Sequence, residues 1–235
     1  MSMQGSVVVV AGAGGGAGAA VVHRLATAGA TVVMANRDLA SLEPLVTEVA
    51  ADGGTAHPYA VDLTDEAATA AWAASIVSTF GRVDGLVHLV GGWRGGKGIT
   101  ETDLADWDWL QNLLVRTVQH TSRGFHDALR ASTAARFVLV SAAEASRPTA
   151  KNASYAAAKA AAEAWTLALA DSFRDSPAAA TIMVVKALVT PQMRAAKPDA
   201  EFKGYTDVAD LADAIVKLWD EPADVVNGQR VWLTP

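Results

Sequence analysis

The stretch of residues 7–25 constrains the fold of this chain more than any other. It begins with four consecutive valines, continues through a run of glycines, and passes into a segment rich in alanine and valine. A short apolar run suits a strand that is buried on both faces, and the segment after the glycines has helical spacing. The order strand, glycine turn, helix predicts the first unit of an α/β domain.

The glycine turn has the spacing GxxxGxG, formed by Gly12, Gly16 and Gly18. Glycines at these positions let the backbone turn tightly, approach a diphosphate closely and seat the helix against the strand. Free N–H groups at the start of the helix then face the anion. The motif alone fits plain packing of a helix on a strand, but its place at the start of an alternating pattern favours a dinucleotide site.

Length and composition limit the classes of protein to consider. The 235 residues fit one large α/β domain, residues 1–235. The net charge of −6 indicates no general affinity for nucleic acid, and the lack of cysteine excludes disulfides and thiolate chemistry. No apolar run is long enough to cross a bilayer, no secretory leader is recognisable, and no metal-ligand spacing occurs. We therefore expect a cytoplasmic protein that binds neither membrane nor metal.

The residues after the second predicted strand, 31–35, bear on the choice of cofactor. They are Asn36 and Arg37, where the adenosine ribose lies if the first turn holds the diphosphate. A carboxylate there would favour the free 2′-hydroxyl of NAD, whereas a guanidinium can bind a 2′-phosphate through two hydrogen bonds. The sequence therefore predicts NADP, with NAD less favoured. The alternative is a solvated arginine at the start of a helix over 39–51.

The alternation of strands and helices continues to the end of the chain. Further strands are predicted at 55–61, 86–90, 136–140, 180–185 and 229–233, and further helices at 65–80, 103–133, 154–173 and 206–219. In a doubly wound sheet, the loop after 86–90 lies where the strand order reverses and ligands bind.

Three side chains in these loops are candidate binding residues. Trp93 can stack on a flat heterocycle and Arg94 can hold an anionic group, although a mobile glycine loop with incidental cations is an alternative. Asp62 is placed to accept a hydrogen bond from the adenine amine, to cap helix 65–80, or to do both.

Candidate catalytic residues follow the fifth predicted strand. Tyr155 and Lys159 are four residues apart on helix 154–173, so they share one face. A buried ammonium close to a phenol lowers the pKa of the phenol, which makes the tyrosine an acid usable near neutral pH. The pair YxxxK arises easily by chance, and it gains weight from the glycine turn upstream. Strand 136–140 delivers Ser141 to the carboxyl edge of the sheet.

With GxxxGxG and YxxxK together, the chain resembles the short-chain dehydrogenase/reductase family. The resemblance implies a three-layer doubly wound parallel sheet of about seven strands, the Rossmann fold, with a nicotinamide cofactor. It also implies that Tyr155 donates a proton with the help of Lys159, and that helix 154–173 takes part in forming a homodimer or homotetramer. One departure is that Ala142 stands thirteen residues before the tyrosine, where the family has a serine, and Ser141 is one place off.

A narrower resemblance links this departure to the dihydropteridine reductase branch. The chain shares with that branch the run from Gly91 to Gly96, GGWRGG, and the alanine at position 142. Members of the branch work with tyrosine and lysine without the serine. An electron-poor quinonoid pterin accepts hydride on a ring nitrogen, so it needs stacking and a proton more than stabilisation of an oxyanion. The branch carries an aspartate after the second strand and prefers NADH, whereas this chain has Asn36 and Arg37.

The sequence thus leads to one preferred function and two alternatives. The preferred function is an NADPH-dependent reductase of a small flat acceptor such as a quinonoid pterin or a quinone. The alternatives are an ordinary ketone or alcohol oxidoreductase that uses Ser141, and a non-catalytic NADP-binding regulatory protein. The predicted catalytic residues are Tyr155, Lys159 and Ser141, and the predicted substrate-binding residues are Trp93 and Arg94. The predicted cofactor-binding residues are Gly12, Gly15, Gly16, Ala17, Gly18, Asn36, Arg37, Asp62, Leu63, Val90, Gly91, Gly92, Tyr155, Lys159 and Thr190.

Overall fold

Strands and helices alternate along the chain, as the sequence pattern predicts. The computed structural model describes residues 3–233. Its strands are β1 (Val7–Ala11), β2 (Thr31–Asn36), β3 (Thr55–Ala60), β4 (Gly85–His88), β5 (Arg136–Ala142), β6 (Ala179–Val185), β7 (Leu188–Val189), β8 (Thr206–Asp207) and β9 (Arg230–Trp232). Its helices are α1 (Gly18–Thr27), α2 (Glu43–Ala51), α3 (Glu66–Phe80), α4 (Leu104–Gln111), α5 (Thr117–Ala131), α6 (Ala153–Ser172), α7 (Pro191–Ala196), α8 (Val208–Lys217) and α9 (Ala223–Val226).

The main sheet confirms the predicted doubly wound architecture. It has seven parallel strands in the order β3-β2-β1-β4-β5-β6-β9, and β7 pairs with β8 in a separate small sheet. Helices cover both faces, with α1, α2 and α8 on one and α3, α5 and α6 on the other. The strand order reverses between β1 and β4, so the carboxyl ends of these two strands form the crevice where such sheets bind ligands.

The valines of β1 show why this strand lies at the centre of the fold. Val8 and Val10 pack with α1 and α8, whereas Val7 and Val9 pack on the opposite face with α3 and α5. Successive side chains of a strand point to opposite faces, so a run of apolar residues is required to bury both. Helices bury β1 on both faces, and this packing fixes the position of the glycine turn that follows the strand.

Two glycines of this turn are required by close approach of the backbone. Gly12 has a φ of +81°, and a Cβ there would lie 2.8 Å from the amide nitrogen of Val90. A Cβ on Gly18 would collide with the carbonyl oxygen of Ala13. The first glycine therefore lets the turn approach the end of β4, and the second lets α1 pack directly on the turn.

Several predicted boundaries were wrong for local reasons. The helix expected over 39–51 begins at Glu43, because Asp38 forms a turn in which its side chain accepts a hydrogen bond from the amide of Ala40. The strand expected over 86–90 ends at His88. The helix expected over 206–219 is shorter because Thr206 and Asp207 pair with β7 before α8 starts.

The helix expected over 103–133 is interrupted by a π-helical turn. This turn, Asn112–Arg116, separates α4 from α5. The hydroxyl of Thr117 donates a hydrogen bond of 2.6 Å to the carbonyl of Leu113 within it. Side-chain periodicity cannot distinguish a wide turn from a regular one in a long apolar pattern. Among residues 3–233, no helix is both long and apolar enough to cross a membrane.

The packing of α1 on the glycine turn predicts that one added methyl group at Gly18 destabilises the folded protein. Gly18→Ala should lower the free energy of unfolding by about 1–3 kcal/mol, because the added Cβ meets a backbone oxygen that cannot move aside. Gly98→Ala is the matched control, since a Cβ there meets no atom within 4 Å. Urea unfolding of both variants measures the difference, and equal midpoints would contradict this account.

Candidate active site

Two cavities lie side by side at the carboxyl edge of the main sheet. The first, of about 210 Å³, contains Gly12, Asn36, Arg37 and Asp62 in its wall. The second, of about 190 Å³, contains Ser141, Ala142, Tyr155 and Lys159. Leu89, Val90 and Gly91, which follow β4, line both cavities. An elongated ligand can therefore extend from one cavity to the other past the end of β4.

The first cavity fits the diphosphate and adenosine portions of a nicotinamide dinucleotide. Gly12 and Gly15 expose bare backbone on one side, and Val90 and Gly91 line the other. A Cβ on Gly12 would close the gap between the two sides, because it would lie 2.8 Å from the Val90 nitrogen. The ten-residue helix α1 starts directly after this turn, and the N-terminus of a helix favours a negatively charged group.

The other predicted members of the turn are not among the residues that line this cavity. Gly16 faces Thr190, since a Cβ on Gly16 would lie 3.5 Å from the methyl group of that threonine. Ala17 is a buried residue at the start of α1, and Gly18 packs on Ala13. Thr190 itself caps α7, with its hydroxyl accepting a hydrogen bond from the amide of Met193.

The residues at the end of β2 differ in what their side chains contact. The Asn36 amide donates a hydrogen bond of 2.6 Å to the hydroxyl of Ser41. Arg37 lines the first cavity, and within residues 3–233 its guanidinium makes no hydrogen bond and no ion pair within 4 Å. The cation of Arg37 is therefore available to an anionic ligand at this end of the cavity.

Asp62 lines the same cavity but does not cap a helix. Its carboxylate accepts hydrogen bonds from the hydroxyl and the amide of Thr64, and these bonds, followed by the charge of Arg37, lower the pKa of Asp62. Asp65 caps α3 instead, by accepting from the amide of Ala68. The capping alternative for Asp62 was therefore wrong, because Asp65 is the residue that immediately precedes the helix. Leu63 also lines the cavity, and its carbonyl oxygen accepts a hydrogen bond from the ring of His120.

Tyr155 and Lys159 face the second cavity from one side of α6. Lys159 is only 6% exposed, and its ammonium donates a hydrogen bond of 3.0 Å to the carbonyl of Val140 on β5. The ammonium nitrogen lies 6.0 Å from the centre of the Tyr155 ring. Burial lowers the pKa of Lys159 to about 8, although the charges of Glu163 and Glu144 oppose this shift.

The expectation that Lys159 lowers the pKa of Tyr155 was wrong in this structure. Burial, followed by the charge of Glu144, raises the pKa of Tyr155 to about 12. Burial disfavours the phenolate, and a nearby carboxylate disfavours it further. The hydroxyl of Tyr155 therefore stays protonated at neutral pH, which is the state required of a proton donor.

Ser141 lines the second cavity, but its hydroxyl is already bonded to α6. Strand β5 extends through Ala142, so Ser141 is a strand residue whose side chain faces α6. It is 1% exposed, and its hydroxyl donates a hydrogen bond of 2.6 Å to Glu163. Arg230 donates to the other oxygen of Glu163 at 2.7 Å. The predicted catalytic role of Ser141 finds no support in this geometry, because its hydroxyl already donates to the carboxylate of Glu163.

The loop after β4 holds the two predicted substrate-binding residues in different surroundings. Trp93 is 59% exposed, and the amide of Gly96 ties the loop to the carbonyl of Lys151, just before α6. Arg94 forms an ion pair of 3.3 Å with Asp106 and lies over the ring of Trp109 at 4.2 Å. Asp106 of α4 supplies a counter-charge to Arg94, and the binding of an anionic substrate by Arg94 stays a prediction.

Gly92 is part of the same loop and packs against α4. A Cβ there would lie 2.6 Å from the ring of Trp109 and 2.7 Å from the side chain of Leu113. Gly92 is absent from the walls of both cavities, whereas its neighbour Gly91 lines both. The glycine at 92 thus lets the loop pass closely over α4 rather than over the cavities.

Sequence reasoning missed three titratable residues around the catalytic pair. His88 is buried at the end of β4, where burial, followed by the charge of Lys159, lowers its pKa to about 3 and keeps the ring neutral. Glu163 lies one turn after Lys159 on α6, a spacing that could have revealed it. Glu144 follows β5 in a short 3₁₀ turn, and no local motif in the sequence indicates its role.

The comparisons with known proteins agree with this fold. A family model described as short chain dehydrogenase matches residues 6–201. The chain belongs to the short-chain dehydrogenase family. A short chain dehydrogenase from Pseudocercospora fijiensis is 31% identical over 68% of this chain and 52% of its own length. The 7alpha-hydroxysteroid dehydrogenase of Escherichia coli K12 is 26% identical over 97% of this chain and 92% of that protein.

Solved structures of the family share the whole architecture. A metagenomic short-chain oxidoreductase in complex with NADP has a TM-score of 0.82 and 26% identity, over all of both chains. NAD⁺-bound xylitol dehydrogenase has a TM-score of 0.87 at 19% identity, covering 100% of this chain and 99% of its own, which is a likeness of fold alone. The chain spans about half or less of the length of several curated relatives that it matches.

The buried ammonium of Lys159 predicts a stability that depends on pH. Because the pKa of Lys159 falls from its ordinary 10.5 to about 8 on folding, the unfolded chain binds more protons than the native protein between these values. The native state therefore gains stability as pH rises through this window. Below about pH 8 the buried charge of Lys159 lowers the stability of the native state by a constant amount.

Lys159→Met removes that cost and should raise the free energy of unfolding at pH 7 by about 1–3 kcal/mol, with a smaller gain at pH 10. Urea unfolding at the two pH values measures both gains. Lys217→Met, at an exposed position on α8, is the control and should change stability by less than about 0.5 kcal/mol. A Lys159→Met protein that is less stable than wild type at pH 7 would contradict the account.

Proposed function

We propose that this protein is an NADP(H)-dependent reductase that delivers hydride to a small flat acceptor such as a quinonoid pterin or a quinone. The observation that carries the choice of cofactor is the guanidinium of Arg37, which lines the first cavity near the carboxylate of Asp62 and makes no hydrogen bond or ion pair within 4 Å among residues 3–233. Neutral Asn36 precedes it, where a carboxylate would be needed to bind the free ribose of NAD. The metagenomic relative in complex with NADP supports the same choice.

NADPH should bind more tightly than NADH by roughly 1 to 3 kcal/mol, because the 2′-phosphate gains a charge-assisted contact with Arg37. Arg37→Gln should weaken the binding of NADPH while leaving that of NADH nearly unchanged. Arg174→Gln, at an exposed residue after α6, is the matched control and should alter neither. Fluorescence titration gives all six dissociation constants. If wild type binds the two cofactors equally, the proposed preference for NADP is wrong.

The choice of acceptor depends on a hydroxyl that the site lacks. Ala142 stands at the position of the family serine, and the hydroxyl of Ser141 is already bonded to Glu163 of α6. Reduction of a simple ketone builds negative charge on oxygen and benefits from such a donor. A quinonoid ring disperses the incoming charge and needs a stacking surface, for which the exposed Trp93 is the candidate.

In this proposal each residue of the catalytic pair has a distinct task. Bound NADPH would supply the hydride, which is the chemistry that a nicotinamide contributes. Tyr155 holds its proton until the acceptor requires it, since its pKa is about 12. Lys159 donates a hydrogen bond to the carbonyl of Val140, and we propose that it also binds the nicotinamide ribose.

Two substitutions separate the preferred function from the ketone alternative. Tyr155→Phe should lower the turnover of a quinonoid acceptor on the order of 10² to 10⁴-fold, because the proton donor is lost. Ser141→Ala should leave turnover nearly unchanged, since that hydroxyl bonds Glu163. NADPH oxidation at saturating acceptor measures both variants.

The same measurement contains the outcomes that would reject this function. A Ser141→Ala enzyme as impaired as Tyr155→Phe, with NADPH binding intact in both, would favour the ketone alternative. If wild type binds NADPH but oxidises it with no quinonoid acceptor and no ketone, the protein would instead be a cofactor-binding regulator.

We also propose that the protein forms a homodimer or homotetramer through α5 and α6. A shallow cavity between these helices is lined by His126 and Asp127 of α5 and by Trp165 and Leu169 of α6. Small side chains along α6 permit the close packing of a second copy. Light scattering at micromolar concentration should give a mass of two or four chains, and a monomer would contradict the proposal.

A further inference from the structure

Lys186 is a basic residue in the wall of the catalytic cavity for which the functions above give no role. It follows β6 directly and lines the second cavity together with Tyr155 and Lys159. The side chain is exposed, so a ligand that enters the cavity from solvent can reach it. Lys186 does not line the first cavity, where Arg37 is the cation. The second cavity therefore has an accessible basic residue of its own, in the same cavity as the proposed proton donor.

The side chain of Lys186 lies against Gly204, in the segment between α7 and β8. A Cβ on Gly204 would lie 3.4 Å from Cδ and 3.5 Å from Nζ of Lys186. The amide of Thr206 donates a hydrogen bond of 2.8 Å to the carbonyl of Ala187, so this segment is tied to the backbone beside the lysine. The position of the ammonium is thus set by packing against backbone.

The ammonium of Lys186 has no partner in the part of the chain that the structure describes. It donates no hydrogen bond there, and no carboxylate of that part lies within 4 Å of it. Glu201, in the segment between α7 and β8, forms an ion pair of 2.7 Å with Lys203 instead. The ammonium of Lys159 is buried and donates to the carbonyl of Val140. Of the two lysines that line this cavity, Lys186 is the one whose charge is free to bind an anionic ligand.

The chemistry of an ammonium limits what the ligand can be. An ammonium only donates hydrogen bonds, and its strongest partner is an oxygen that carries negative charge. The cavity, of about 190 Å³, is smaller than the roughly 300–1,000 Å³ of sites for drug-sized ligands. In so small a space, an acceptor bound at Tyr155 keeps its substituents close to the cavity wall. A carboxylate on the acceptor is then attracted to Lys186, whereas a cationic substituent is repelled.

We propose that Lys186 is a substrate-binding residue that selects acceptors carrying an anionic group, such as a carboxylate, on the reducible ring or beside it. The inference rests on the proposed reductase function, and it divides the flat acceptors considered there according to their charge. The two unpaired cations of the site then have separate ligands, since Arg37 binds the 2′-phosphate of the cofactor and Lys186 binds the acceptor. Lys186 acts on binding and orientation, while Tyr155 remains the proton donor.

A matched pair of acceptors tests this selection. A naphthoquinone with a propanoate side chain is anionic, and its primary amide is neutral and has almost the same shape. The saturated spacer separates the substituent from the ring, so the two quinones have nearly the same intrinsic reactivity. Wild type should prefer the propanoate. Lys186→Gln should lower the ratio of kcat/KM for the propanoate over that for the amide by about 5- to 50-fold, because the charge-assisted contact is lost.

Further variants control for charge and for folding. Lys217→Gln makes the same change of charge at an exposed position on α8, outside the walls of both cavities, and should leave the ratio unchanged. Lys186→Arg keeps the charge and should retain most of the preference for the propanoate. High salt should reduce the preference of wild type, because ions screen a charge pair that is open to solvent. Urea unfolding of Lys186→Gln shows whether the fold is intact.

Binding gives a second readout that needs no turnover. Calorimetry with NADP⁺ present measures the dissociation constants of the propanoate and of the amide. Wild type and Lys217→Gln should bind the propanoate about tenfold more tightly than the amide, and Lys186→Gln should bind the two about equally. Fluorescence titration with NADPH shows whether Lys186→Gln binds the cofactor as wild type does.

The outcomes separate failure of this inference from failure of the reductase function. A wild type that turns over both quinones equally well, or a Lys186→Gln variant that keeps the preference, would reject the role of Lys186 and leave the reductase function standing. Weaker binding of NADPH by Lys186→Gln, with the preference unchanged, would also reject it, because the ammonium would then serve the cofactor. If wild type oxidises NADPH with neither quinone, the reductase function fails, and the calorimetry then decides the role of Lys186 separately.

Discussion

The architecture of the site depends on the close approach of bare backbone at Gly12 to the residues that follow β4. This approach brings the end of β1 against Val90, at the point where the order of strands reverses. Any side chain at Gly12 would force the two strand ends apart. The two cavities share their wall at this point, so the contact also sets the distance between the cofactor-binding part of the site and the catalytic residues.

The sequence was sufficient for the fold because its decisive signals are local. The valines of β1, the glycine turn and the spacing of Tyr155 and Lys159 each depend on neighbouring residues, and alternating elements then determine the order of the sheet. The ionisation of Tyr155 could not be predicted in this way. It depends on burial and on Glu144, a residue on a different element whose proximity only the folded chain creates. The partner of Arg94 was missed for the same reason, since Asp106 is placed by the packing of the loop on α4.

A buried polar cluster connects α6, which carries Tyr155 and Lys159, to the main sheet. Glu163 of α6 accepts hydrogen bonds from Ser141 of β5 and Arg230 of β9, while Lys159 of the same helix bonds the carbonyl of Val140. These bonds connect α6 to two strands through charged groups that are costly to leave unpaired. The serine that stands one residue from the family position thus has a structural task. It holds the carboxylate that favours the charged form of Lys159.

The π-helical turn between α4 and α5 separates the face of α4 that contacts the loop after β4 from the face of α5 that packs in the core. In one regular helix these two faces would be continuous. A π-helical turn rotates the side chains that follow it relative to those that precede it. The side chains of α4 that contact the loop and those of α5 that pack in the core therefore do not lie on one continuous helix face. Trp109 and Asp106 contact Arg94 of the loop after β4, whereas Phe125 and Leu129 pack in the core. The residues at the mouth of the site can therefore diversify during evolution without disturbing the packing that keeps the sheet together.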